Sequence, residues 1–334
     1  MFNCMTKPLL AALGGAAFAV AASAVNAGDY DSRPEAQAVI DHVVEQGVDR
    51  AWAERALAAA EKKQSILDAI ARPAEKTKPW HEYRQIFITD KRIREGVAFA
   101  QENADTLRVV SERTGVPREI IVAIIGVETF YGRIAGSYRV VDALSTLAFD
   151  YPKRSPFFTG ELEHFLVLAW ESGKDPLELT GSYAGAMGYG QFMPSSYRAY
   201  ARDYDGDGVA DIWRNPDDAI YSVANYFVEH GWIAGEPVVV PANGDGAPAT
   251  IFEGGLKPRF TVGELAQMGF APLASTDINL KATAMNLEGI DGSEYWLGLE
   301  NFYVITRYNH SAMYALSVWQ LSQAIAEGLA AADR

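Results

Sequence analysis

Apolar residues recur at helical spacing through the first third of the chain, which predicts a long all-helical region. Val39, Ile40, Val43 and Val44 form one stripe that Gly47 stops, and a second helix is expected over about 49–63. Pro73 and Pro79 then interrupt the pattern around a charged link. Ile93, Val97, Ala100, Ala104, Leu107 and Val110 repeat at three and four residues until Gly115. Pro117 suits the first turn of the next helix, and Ile120, Ile121, Ile124 and Ile125 follow it. Further helices are predicted over 160–172 and 218–230, the second ended by Gly231.

Beyond Trp232 the period shortens. Val238-Val239-Val240, Thr250-Ile251-Phe252 and Arg259-Phe260-Thr261-Val262 read as short strands, separated by Asn243-Gly244, Gly254-Gly255 and Pro258. Residues 277–287 alternate as a strand does, and helical spacing returns over 311–328 with Tyr314, Val318, Leu321 and Ile325 on one stripe. The expected fold is therefore mainly α (α+β). A helical lobe occupies 28–115, a helical core 116–234, and a small β-containing lobe 235–300 is inserted before the chain returns to the core at 301–334. No internal repeat or low-complexity tract is visible after residue 27.

The N-terminus reads as a signal peptide over residues 1–27. Lys7 precedes an uncharged, Ala-rich stretch, and Val25-Asn26-Ala27 places small residues where a signal peptidase cleaves, before Gly28. An uncleaved membrane anchor is the alternative. Cys4, the only cysteine, has no apolar lipobox ahead of it, so a periplasmic protein without a lipid anchor is expected. A mature chain without cysteine relies on its core, which its length can supply. The net charge of −14, from 43 acidic and 29 basic residues, excludes a broad basic groove for nucleic acid.

Candidate chemistry starts at Glu128, which ends the run Ile120-Ile121-Val122-Ala123-Ile124-Ile125-Gly126-Val127-Glu128. Helical spacing sets Ile121, Ile124 and Ile125 on its side. A carboxyl emerging from an apolar stripe is desolvated and holds its proton to higher pH, as a general acid for glycosidic cleavage must. Spacing leaves a capping or ion-paired glutamate equally open. The segment 181–197 carries Gly181, Gly185, Gly188 and Gly190 beside Tyr183, Tyr189, Tyr197, Ser182 and Gln191. Such a mixture suits the floor of a sugar-binding cleft, where glycine lets a ligand approach the backbone; a structural loop has the same composition. Arg307-Tyr308-Asn309-His310-Ser311 stands where a strand-like run meets the last helix, and Asn309 or Ser311 is also its candidate N-cap.

Three segments together carry a family resemblance. They are Ile124-Ile125-Gly126-Val127-Glu128-Thr129, the stretch from Gly185 through Gln191-Phe192-Met193-Pro194 to Tyr197, and Thr306-Arg307-Tyr308-Asn309-His310-Ser311. In order and spacing this combination resembles the membrane-bound lytic murein transglycosylase B family, over about 80–321. The resemblance implies a lysozyme-like helical core with the active site, a helical lobe before it and a small β lobe inserted late. It gives Glu128 the catalytic acid/base place. It matches Ser182, Gln191, Phe192, Tyr308, Asn309 and Tyr314 to cleft-lining positions, and Tyr83 and Tyr226 with less local context.

The implied reaction needs one carboxylate where glycosidases commonly use two. The acid protonates the bond between N-acetylmuramic acid and N-acetylglucosamine. The substrate's N-acetyl carbonyl supports the cationic carbon, and its primary hydroxyl attacks to form a 1,6-anhydro ring. The implied partner is the peptidoglycan glycan strand, with cell-wall synthesis or remodelling proteins beside it, no nucleic acid, and a monomeric enzyme. A hydrolytic muramidase on the same fold and a non-catalytic glycan-binding module are the competing readings.

A metal loop is the last candidate. Asp203-Tyr204-Asp205-Gly206-Asp207-Gly208-Val209 matches the first seven places of an EF-hand loop, with a carbonyl expected from Val209. Arg214 stands at the twelfth place, so Asp217 or Asp218 is expected to close a lengthened loop, 203–218, around a structural calcium ion. An acidic surface turn is the alternative. His42, His81, His164, His230 and His310 show no metal-ligand spacing, and His310 reads as structural more readily than as catalytic. No organic cofactor is expected.

Overall fold

The computed structural model describes residues 28–71 and 78–332. The segment read as a signal peptide, with Cys4, and the link 72–77 lie outside the described residues. The chain begins with helix α1 (Pro34–Glu45), which opens on Pro34 and buries Ala36, Val39, Ile40 and Val43. Gly47, at φ 95°, turns the chain after it.

The helix predicted over 49–63 is shorter than its apolar pattern. Helix α2 (Arg50–Ala58) starts at Asp49, whose carboxylate accepts the Trp52 N–H, and the next helix is α3 (Gln64–Ala71). The break has a tertiary cause. The Glu61 N–H goes to Asp142 Oδ1 (2.9 Å), the Lys62 N–H to Asp29 Oδ2 (2.7 Å) and the Lys63 N–H to Thr146 Oγ1 (3.0 Å), so successive amides leave the helix ladder. Asp142 is buried and also accepts two guanidinium bonds from Arg139, both at 2.8 Å.

Helices α4 (Trp80–Phe87), α5 (Asp90–Glu102) and α6 (Ala104–Thr114) follow, the long repeat being split at Asn103 and closed by Gly115 at φ 70°. Helix α7 (Arg118–Thr129) differs from its neighbours because every residue from Ile120 to Val127 is buried. A helix apolar on all sides belongs at the centre of a fold. The chain then makes β1 (Tyr138–Arg139), α8 (Val140–Asp150), a 3₁₀ turn (Pro152–Arg154), α9 (Ser155–Glu171) and β2 (Thr180–Gly181), which pairs antiparallel with β1. Helices α10 (Pro194–Tyr200) and α11 (Pro216–Glu229) complete this part.

The small lobe contains β3 (Val239–Asn243), β4 (Phe260–Thr261), α12 (Val262–Gln267), β5 (Ala271–Pro272), β6 (Lys281–Glu288) and β7 (Ser293–Gly298). The strands form one antiparallel sheet in the order β4-β6-β7-β3-β5. One face, with Val240, Ala242, Ala282, Ala284 and Leu297, closes a local core against Ile251, Val262, Leu265 and Phe270. Val239 and Met285 point the other way into the helical core. Two-sided burial explains why β6 is buried from Ala282 to Met285 rather than alternating.

Three sequence expectations change here. Thr250-Ile251-Phe252 lies in a 3₁₀ turn (Ala249–Gly254) that drops Ile251 into the small core. The run at Arg259–Val262 is strand for two residues only, because Thr261 and Glu264 form a reciprocal capping box that starts α12. The strand-like run before Arg307 is helix α13 (Glu300–Tyr308), whose β-branched Val304, Ile305 and Thr306 are buried. Asn301 fixes its start, accepting the Ile233 N–H (2.8 Å) and donating to the Ile233 and Glu236 carbonyls (2.8 and 3.0 Å). Helix α14 (Ala312–Ala332) then packs along α7 and α5. No described helix is long and apolar enough to cross a membrane.

Candidate active site

Glu128 sits one residue before the end of α7, where the buried run stops and the side chain becomes partly accessible. It caps no helix and has no ion-pair partner among the described residues, which removes the capping and salt-bridge alternatives. Its Oε1 accepts a hydrogen bond from the Tyr314 hydroxyl at 2.5 Å. Loss of water around the carboxyl pushes its pKa up to about 7, with the Tyr314 bond acting in the opposite direction. The group therefore holds a proton across much of the neutral range and is able to give it up.

Three tyrosines surround it, each from a different helix: Tyr83 of α4, Tyr308 at the end of α13 and Tyr314 of α14. Burial, then the negative charge of Glu128, raises the pKa of all three, so they remain neutral donors. The Tyr308 hydroxyl donates to the Gly190 carbonyl (2.6 Å). A Cβ at Gly190 would stand 2.8 Å from that hydroxyl, so the close approach requires glycine. Beneath Tyr308 lie Tyr226 (ring centroids 4.7 Å apart) and Phe192 (6.0 Å). Phe192 and Tyr226 are 3% and 8% exposed, so both serve as packing that holds Tyr308. The Tyr226 hydroxyl is spent on the Arg307 carbonyl (2.7 Å).

The remaining candidates frame this centre without touching Glu128. Gln191, at φ 50°, donates through Nε2 to the carbonyls of Ala135 and Gly188, both at 3.1 Å. Ser182 Oγ accepts the N–H groups of Ala184 (3.3 Å) and Ala186 (3.0 Å) and so closes the glycine-rich turn. Asn309 is exposed in extended backbone after α13, with no side-chain hydrogen bond among the described residues. Ser311, not Asn309, caps the last helix, its Oγ accepting the Tyr314 N–H (3.3 Å). His310 pairs with Arg307 (2.7 Å) on the surface.

Two residues that sequence reasoning left without a role hold the centre in place. Thr129 Oγ1 donates to the Tyr189 carbonyl (2.9 Å) and accepts the Gly132 N–H (2.9 Å), tying the glycine-rich loop to the end of α7. Arg92 Nε donates to the Gly126 carbonyl (3.1 Å), and its guanidinium lies 5.0 Å from the Phe130 ring. Phe130 and Tyr131 take φ 52° and 61°, a left-handed exit that these bonds hold. Adjacency to Glu128 was the available signal for Thr129; nothing in the pattern marked Arg92.

The acidic loop gathers Asp203, Asp205 and Asp218, whose carboxylate oxygens lie within 4.8 Å of one another. Asp218 is buried, and burial followed by the charges of Asp205 and Asp203 raises its pKa. A divalent cation relieves that repulsion, and an all-oxygen donor set suits a hard ion such as calcium. Asp203 also accepts the N–H groups of Gly206 (2.7 Å) and Gly208 (2.8 Å). Asp207 Oδ1 takes the Val209 N–H (2.8 Å) at the rim. Asp217 turns away to accept a bond from Thr106 on α6 (2.6 Å), and Asp218 rather than Asp217 joins the cluster.

A profile described as the transglycosylase SLT domain matches residues 31–323. The chain is 47% identical over 309 residues to membrane-bound lytic murein transglycosylase B of Escherichia coli (strain K12), covering 90% of this chain and 84% of that protein. Soluble lytic transglycosylase SltB1 from Pseudomonas aeruginosa is 53% identical with a TM-score of 0.84, covering 88% of this chain and 99% of the solved one. The Escherichia coli lytic transglycosylase Slt35 in complex with calcium is 45% identical with a TM-score of 0.83, covering 91% and 96%. The architecture is that of the lysozyme-like lytic transglycosylases.

The Tyr314 bond favours the ionised form of Glu128, so Tyr314→Phe moves the alkaline limb of the pH–rate profile upward. A hydrogen bond to a charged group contributes about 1.5–3 kcal/mol, so the limb should rise by about one to two pH units. A limb that stays in place or moves to lower pH removes Tyr314 from this role.

Proposed function

The chain belongs to the membrane-bound lytic murein transglycosylase B family, and on that premise we propose that Glu128 is its single acid/base catalyst. The protein is an enzyme, a lytic transglycosylase acting on peptidoglycan. In the proposed cycle Glu128, protonated, donates to the oxygen between N-acetylmuramic acid and N-acetylglucosamine. The substrate's acetamido carbonyl supports the developing cation. The glutamate left behind takes the proton of the primary hydroxyl of the same sugar, which closes the 1,6-anhydro ring and returns Glu128 to its acid form. A nucleophile within the substrate outcompetes water through proximity, and the wall of Tyr83, Tyr308 and Tyr314 limits water further.

The observation that carries this reading is the isolation of Glu128. Its raised pKa has burial as its first cause and the Tyr314 bond as its counterweight, with no second carboxylate among the described residues acting on it. A hydrolytic muramidase of the usual kind needs a second acid to activate water or to attack. Asn309, with its amide unengaged, is the candidate to hold the acetamido group, and Ser182 and Gln191 are candidates for the neighbouring sugar.

For the acidic loop the reading is calcium held by Asp203, Asp205 and Asp218, with Asp207 and the Val209 carbonyl at the rim. The ion would tie the loop to the first turn of α11 through Asp218 and would have no part in catalysis. The calcium complex of the Escherichia coli relative supports this choice of ion. The place of action is the periplasm, where the wall lies and to which the N-terminal segment would direct the chain.

Glu128→Gln should lower the release of soluble wall fragments by about a thousandfold while the protein still binds sacculi. Mass spectrometry of wild-type digests should give fragments with 1,6-anhydro ends; reducing ends alone would assign the hydrolytic reaction instead. Removing calcium with a chelator should lower Tm by about 5 °C, restored by added calcium. Asp218→Asn should abolish that dependence and Asp217→Asn should leave it. A Tm indifferent to calcium contradicts the metal assignment.

A further inference from the structure

Two cavities of about 520 Å³ and 460 Å³ adjoin each other across the turn Gly173-Lys174-Asp175. The turn arises from the way α9 ends. Gly173, at φ 64°, donates its N–H to the Trp170 carbonyl (3.2 Å), and the Lys174 N–H reaches back to the Ala169 carbonyl (3.0 Å). This ending leaves Trp170 at the rim, 39% exposed, where its ring meets Trp52 of α2 edge to face at 5.5 Å. Arg55, three residues after Trp52, lines the same cavity.

The second cavity is built around Trp213. Its indole N–H donates to the Thr180 carbonyl (3.1 Å), and the Lys174 ammonium lies 5.8 Å from its ring while pairing with Asp211 (3.0 Å). Arg214 stands exposed beside it. This cavity borders the loops of the candidate active site. Ala135, on its wall, is the residue whose carbonyl holds Gln191, and Thr180 leads through Gly181 to Ser182. Sharing the turn 173–175, the two cavities make one trough whose second half adjoins the residues that position Gln191 and Ser182.

Its chemistry is selective. Flat indole surfaces suit the apolar faces of pyranose rings. Arg55, Lys174 and Arg214 offer donors, and Asp175 and Glu178 offer acceptors, for hydroxyl and acetamido groups. The acidic side chains disfavour a nucleic acid, and the charged rim disfavours a lipid chain. We propose that the trough is a second glycan-binding site, holding a stretch of strand other than the one at Glu128 and keeping the enzyme on polymeric wall between cleavages. The identity of the ligand rests on the function proposed above.

The test compares Trp170→Ala and Arg55→Glu, each in the full chain. In a Glu128→Gln background, binding to purified sacculi should weaken roughly fivefold to tenfold for Trp170→Ala, the change expected for losing one aromatic contact. With Glu128 restored, the rate on a soluble glycan tetrasaccharide should stay at the wild-type level while that on sacculi falls. Arg55→Glu, an exposed change on α2, carries the comparison should Trp170→Ala lower the melting temperature. Unchanged sacculus binding by both variants overturns the proposal, as does an equal loss on the tetrasaccharide. A wild-type protein that binds sacculi but releases nothing would instead overturn the catalytic reading, leaving the binding comparison to decide the trough.

Discussion

The carboxyl of Glu128, shielded from water at the end of an apolar helix, sets the terms for the rest of this molecule. Burying an acid costs free energy unless it keeps its proton or finds a partner. Here Tyr314 supplies one hydrogen bond and no cation among the described residues pairs with it, so the acid settles close to neutrality. Holding that balance requires α7 to be enclosed on all sides, which is why helices from before and after it pack around it.

The supporting layers can be followed outward. Tyr83 arrives from α4, far in sequence from the consecutive helices α13 and α14 that carry Tyr308 and Tyr314, so the centre exists only once α4 docks against that pair. Tyr308 is fixed by the Gly190 carbonyl and by the rings of Tyr226 and Phe192. Thr129 and Arg92 hold the strained exit of α7 on which that loop rests. The sheet of the small lobe closes one side of the helical core with Val239 and Met285 and keeps its other face for itself. Asp218 couples the acidic loop to α11, taking the N–H groups of Tyr204 and Asp211.

What the sequence disclosed follows from how local each cause is. Stripes such as Val39, Ile40 and Val43 are legible because one face of a helix meets the core. The break between α2 and α3 is not, since it is imposed by Asp142 and Thr146, which lie about eighty residues away. Helix α13 looked like a strand because its β-branched residues carry that preference, and burial overrode it. The acidic loop could be read from its spacing, but Asp217 and Asp218 are separated only by a tertiary partner, Thr106. For the site, Glu128 stood out through its apolar surroundings and the family resemblance, whereas Arg92 acts through the backbone and leaves no pattern. Tyr226 and Phe192, expected to line the cleft, are buried and pack against Tyr308, a contact that no local pattern discloses.

The proposed cycle turns on the protonation of one group. A titration of the Glu128 carboxyl, followed by carbon NMR or infrared difference spectra against Glu128→Gln, measures it directly. A midpoint at about 7 is the predicted result. A midpoint at the ordinary glutamate value of 4.5 would contradict it, because the acid would already be ionised when asked to donate.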